Sequence, residues 1–96
     1  MPKTSIAIQQ GRLMVSGDLD FSTVMILWNQ SLPLIQSLNE LKFDLTEVSS
    51  SSSAGLALLI EWMRYASLTK KPIQFIQIPE KLKSIISAAG IDGVLS

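Results

Sequence analysis

The chain has 96 residues, 8 Lys+Arg against 8 Asp+Glu, no His and no Cys, and 47% hydrophobic residues. This length suits a single domain spanning 1–96, since a domain needs about 50 residues or more. Lack of Cys and His removes disulfides, thiolate nucleophiles, cysteine zinc sites and a catalytic imidazole, while zero net charge argues against nucleic acid and against a polybasic membrane anchor.

Ser5-Ile6-Ala7-Ile8-Gln9 alternates, Gln10-Gly11 is a turn, and Leu13-Met14-Val15 is a second short strand, so the chain opens on a hairpin. Ser22 then suits the N-cap of a helix in which Val24, Leu27, Trp28, Ser31, Ile35 and Leu38 recur at spacings of three and four. That stripe sends Trp28 into the core. Pro33 lies inside it and is expected to kink or split the helix. Leu41 to Leu45 is a strand. Thr46 to Ser53, with five consecutive serines from Ser49, is expected to be a strand-to-helix loop anchored by Val48. Ser52 or Ser53 caps the next helix, which runs from about Ala54 to Ser67. Lys70 and Lys71 suit the dipole at its C-terminal end. Ile73 to Ile78 is a strand. Pro79 opens a short helix holding Leu82, Ile85, Ile86 and Ala89. Gly90 closes it, with Ile91 as its hydrophobic contact, and Val94 and Leu95 tie down the tail.

Strands alternating with helices imply an α/β domain: a small mixed four-stranded sheet with three to four helices and at least part of the sheet parallel. The first residues lack the apolar run of a signal peptide. The most apolar stretch, Ala54 to Met63, carries Glu61 and falls short of the roughly 20 residues that span a bilayer. A cytoplasmic protein without direct membrane insertion is expected. Neutral charge with high apolar content protects poorly against association, which favours a covering partner.

Ser16-Gly17-Asp18-Leu19-Asp20, together with Asp44-Leu45-Thr46-Glu47-Val48 and Ser52-Ser53-Ala54-Gly55-Leu56, resembles the STAS domain family of anti-sigma factor antagonists and sulfate-transporter tails. Order and length match over nearly the whole chain. The run Ala54 to Leu59, and Leu27-Trp28 with a proline nearby, resemble the MlaB branch, the small STAS subunits of the bacterial ABC transporter that maintains outer-membrane lipid asymmetry. Pro33 falls at a different place from the proline of that branch.

The resemblance implies a non-enzymatic subunit without a cofactor. Its partner is the transporter's ATPase, in a complex that also holds permease and lipid-binding subunits, which puts the chain at the inner membrane through that complex. The alternative is an anti-sigma factor antagonist controlled by phosphorylation of Ser53. There the family usually has Asp just before the phosphorylated serine, and this chain has Ser52.

The partner surface is expected to combine Ser50, Ser51, Ser52 and Ser53 with an outward stripe of Leu58, Trp62 and Tyr65 on the second helix. Exposed aromatics beside a polar loop have the composition of an interface centre. The bland reading is that this helix lies between neighbours and buries both its stripes, and that Ser53 is only a cap. Asp18 and Asp20 resemble a paired-carboxylate feature, a pattern that can equally close a strand and shape a loop, and Asp44 either accepts hydrogen bonds from loop amides or faces the partner. No catalytic residue and no metal ligand set is expected: a serine nucleophile needs a base, and two isolated carboxylates make no cation site.

Overall fold

The computed structural model describes residues 4–90, so the contacts expected of Ile91, Val94 and Leu95 lie outside the described residues. β1 (Ser5–Gln9) and β2 (Arg12–Leu19) form the hairpin. Gln10 and Gly11 both have positive φ, 53° and 77°. Such a two-residue turn twists with the strands it joins, and Gly11 accepts the left-handed backbone without a Cβ penalty.

α1 (Val24–Ser37), β3 (Leu41–Ser51), α2 (Ser53–Thr69), β4 (Ile73–Ile76) and α3 (Glu80–Ala88) follow in that order. The sheet order is β1-β2-β3-β4. β1 and β2 are antiparallel, while β2–β3 and β3–β4 are parallel. Both parallel crossovers step one strand in the same direction. Right-handed connections therefore put α1 and α2 on the same face. The register fills that face: Ile6 opposite Val15, Leu13 opposite Phe43, and Phe43 opposite Phe75. Against it pack Leu27 and Ile35 from α1, Leu59, Trp62 and Ala66 from α2, and Leu82 and Ile86 from α3.

Trp62 is the centre of this core and is fully buried. Its ring stacks on Phe43 with centroids 4.0 Å apart, and Phe43 in turn meets Phe75 at 5.5 Å. The Trp62 Nε1–H donates to Ser31 Oγ at 3.0 Å, and that hydroxyl donates to the Trp28 carbonyl at 2.7 Å. The expectation that Trp62 and Leu58 face outward is thus corrected: both are buried. α2 is the middle helix, flanked by α1 and α3, so it has inward positions on two sides. Trp28, expected inside, is instead half-buried at the rim of the core.

Three further expectations change. Pro33 does not split α1, which is continuous through it. Pro33 and Asn29 are both exposed, so water can reach the carbonyl that the proline leaves without a donor. Leu27, Ser31 and Ile35, four apart, pin the other side of the helix. Lys71 serves α1 as well as its own segment: its Nζ donates to the Ile35 carbonyl at 2.7 Å, satisfying an orphan acceptor at the C-terminal end.

The third change concerns the serines. β3 does not end at Leu45 but stays paired with β2 as far as Ser51, opposite Leu19. Two bulges make this possible. Leu45-Thr46 faces only Val15, and Ser49 is an extra residue between the Gly17–Val48 and Asp18–Ser50 pairs. At the first bulge Asp44 accepts from the Thr46 hydroxyl and from the Thr46 N–H at 3.0 Å, and the Arg12 guanidinium donates to its other oxygen at 3.0 Å.

Replacing Trp62 with Ala should cost about 3–5 kcal/mol, and Ser31→Ala about 1–3 kcal/mol by orphaning the indole N–H. Urea denaturation measures both. A Ser31→Ala loss under about 0.5 kcal/mol would show that the indole N–H finds another partner.

The Thr46 hydroxyl, then the Thr46 amide and Arg12, hold the Asp44 carboxyl below its ordinary pKa, with burial opposing them. The folded pKa lies below the unfolded one, so the ionised form stabilises the fold. That contribution is complete above about pH 4 and is lost as pH falls through the folded value. Asp44→Asn should therefore show a smaller loss of urea midpoint than the parent chain between pH 5 and pH 2. Parallel losses would assign the acid sensitivity to other groups.

Candidate functional site

β2 and β3 are parallel and end together, at Leu19 and Ser51. The loop into α1 and the start of α2 therefore emerge side by side. Ser52 joins the two: its N–H donates to the Leu19 carbonyl at 3.0 Å. Its hydroxyl caps α2, accepting from the Ala54 N–H at 3.2 Å, and it also lies 3.3 Å from the Leu19 carbonyl. Of the two candidate caps, Ser52 is the one used. Gly55 lets α2 approach this close, since a Cβ there would lie 3.1 Å from the Leu19 Cβ.

The other serines divide. Ser53, the first residue of α2, is exposed. Ser50 is exposed and donates to Asp18 Oδ1 at 3.0 Å. Ser51, expected at the surface, is buried, because it is opposite Leu19 on the helix-covered face, and its hydroxyl has no hydrogen-bond partner among the described residues. The site thus presents Ser50 and Ser53, uses Ser52 as its brace and hides Ser51.

On the α1 side the connecting loop is tied down by its own side chains. Asp20 Oδ1 accepts from the Ser22 N–H at 2.9 Å and from the Ser22 hydroxyl at 2.7 Å. These bonds, the hydroxyl first, set the Asp20 carboxyl below its usual range. Thr23 Oγ1 accepts the Asp20 N–H at 2.9 Å and donates to the Asp18 carbonyl at 2.7 Å. α1 begins at Val24, so Ser22 braces the loop instead of capping the helix. Within this loop Phe21 is 78% exposed.

Between α1 and α2 lies an apolar groove of about 360 Å³, lined by Val24, Met25, Trp28, Ala57, Leu58 and Glu61. Met25 is 63% exposed. Leu58 forms only the buried floor. Tyr65 is half-buried, with the Lys71 ammonium 5.5 Å from its ring centroid. The three residues expected to form one stripe are therefore not a surface. The outward side of α2 runs through Ala57, Ile60, Glu61, Arg64 and Leu68. Phe21 and Met25 were missed in the sequence, although an aromatic between Asp20 and Ser22, inside turn-forming residues, was the available signal.

Among the described residues no three His, Cys, Asp or Glu side chains are grouped to hold a metal ion. A rigid polar edge beside an apolar groove suits recognition of a macromolecule.

Comparison with known proteins identifies the fold and the family. Among solved structures, the chain is similar to the anti-sigma factor antagonist SpoIIAA in its unphosphorylated form. The TM-score is 0.64 at 14% identity, covering 95% of this chain and 96% of that one, which establishes a shared fold. No curated protein matches the sequence. The family model described as "Mlab, STAS domain" matches residues 3–96, and with the four-stranded sheet and its helices this places the chain in the MlaB-type STAS-domain family.

Proposed function

We propose that this chain is a non-enzymatic adaptor that binds the ATPase of a phospholipid-transporting ABC complex and supports its assembly and activity. The complex would also hold permease and lipid-binding subunits and act in outer-membrane lipid asymmetry. The chain would then be cytoplasmic and held at the inner membrane through its partner. Family membership supports the class of partner. The observation that carries the contact is the α1–α2 groove, with exposed Phe21 and Met25 beside the Ser52-capped start of α2. Apolar groups of this size on a braced loop and a helix face are typical of an interface centre.

A second reading is anti-sigma factor antagonism switched by phosphorylation of Ser53. Ser53 is exposed at the first position of a 17-residue helix, and the N-cap bond belongs to Ser52. A phosphate there would meet the positive end of the helix. Ser52 in place of the usual Asp counts against this reading. Retention of a serine kinase in place of the ATPase, with a phosphate mass shift on Ser53, would favour it.

Titration against the ATPase tests the adaptor reading, with circular dichroism as the folding control. Met25→Asp and Ser53→Glu should each weaken binding by about thirtyfold, or 2 kcal/mol, by carrying charge into a desolvated contact. Folded variants that both bind like the parent chain would move the contact elsewhere. Trp62→Ala is unsuited to this purpose, since Trp62 is buried.

The adaptor reading also requires that the purified chain alone does not hydrolyse ATP. It has no glycine-rich phosphate loop and no His or Cys. Saturable hydrolysis that survives repurification would overturn this part of the proposal.

A further inference from the structure

Net charge of zero conceals a separation of charge along the molecule. Residues 13–41, which supply most of β2 and all of α1, contain no Lys or Arg. Neither do residues 43–63, which hold most of β3 and the first half of α2. Asp20 stands in the loop that leads into α1, its carbonyl accepting at 3.1 Å from the N–H of Val24, which lines the groove, and Glu61 lines the wall. Asp18 is exposed on the adjoining end of β2. Arg64 is the nearest cation along α2, and it is paired with Glu61 at 3.6 Å. Among the described residues the other cations lie elsewhere. Arg12 and Lys42 are at the opposite ends of their strands. Lys70 and Lys71 follow α2, and Lys81 and Lys83 belong to α3 on the other side of α2.

A groove between two helices suits a third helix, and this one combines an apolar floor with an anionic rim. Resting on the adaptor reading, we propose that the groove receives an amphipathic helix of the ATPase partner. An apolar side chain of that helix covers Trp28 and Ala57, and its flanking Lys or Arg side chains face Asp20 and Glu61. An acidic helix would be repelled by the same rim. A second copy of this chain would bring its own Asp20 and Glu61 toward these carboxylates. Charge complementarity thus selects the partner and accelerates its approach, while the apolar contact holds it.

Two measurements on the intact chain with the purified ATPase test this. The first is the association rate at low and high salt. Glu61→Lys and Asp20→Lys should each slow association about tenfold at low salt, and the difference should shrink at high salt. Glu40→Lys carries the same charge change at the far end of α1 and should leave the rate unaltered. The second is photo-crosslinking from position 25 or 57, followed by identification of the captured segment. A helical ATPase segment bearing Lys or Arg on both sides of an apolar residue supports the proposal. Capture of a segment without basic residues, capture of a second copy of this chain, or equal slowing by all three charge reversals overturns it. If the unaltered chain does not bind the ATPase at all, the adaptor reading fails first. If it binds with these rates unchanged, only the groove proposal fails.

Discussion

The Trp62 indole is constrained in two directions at once. Phe43 fixes the plane of the ring from the sheet, and Ser31 fixes its N–H from α1. A buried indole without a partner for its N–H would be costly, and Ser31, itself buried, can serve it only if α1 presents that face. One side chain therefore sets how far α2 is rotated and how α1 lies beside it. With Trp62 inward, Leu58, Leu59 and Ala66 must also turn inward, and Ala57 and Glu61 must turn out beside Trp28. The outer groove is a geometric consequence of the inner clamp.

The polar edge of the site has a different origin. A strand that kept perfect register could not accommodate the extra residues of β3 opposite β2. The two bulges absorb them and return Ser51 to the same level as Leu19. Asp44 stabilises the first bulge by accepting a hydrogen bond from the Thr46 N–H, and Arg12 balances its charge. As a result α2 starts directly against β2, and the Ser52 amide closes the gap on the Leu19 carbonyl.

The order of elements was legible because hydrophobic period, turn residues and Pro79 agreed with one another along the chain. The hairpin was legible from alternation around Gln10-Gly11, and the capping role of Ser52 or Ser53 from their place before an apolar helix. The length of β3 was not legible, since five serines in a row carry no strand pattern and their pairing depends on β2, far off in sequence. The burial of Trp62 was not legible either. Both tryptophans sit in helical stripes of similar spacing, and only the three-dimensional neighbours of α2 decide which indole is enclosed. The error passed directly to the site, because the stripe of Leu58, Trp62 and Tyr65 stood in for the side that is outward, which runs through Ala57, Ile60, Glu61, Arg64 and Leu68. Lys71 shows the same limit: its nearest helix in sequence is α2, yet it reaches the end of α1.

The site also differs from an ordinary exposed apolar patch in how little freedom it retains. Phe21 is carried by a loop whose two neighbours, Asp20 and Ser22, bond one another, and Thr23 ties that loop back to the end of β2. Trp28 is partly fixed by its contacts at the rim of the core, and Ala57 has no side-chain rotamer to lose. Ordering side chains and loops on binding costs free energy that a contact must first offset. Here most of that ordering is completed when the chain folds, through the same hydrogen bonds that join α1 and α2 to the ends of β2 and β3. On the adaptor reading, a modest apolar area then suffices to hold the partner, and the sparse rim charges act mainly on which partner arrives and in which orientation.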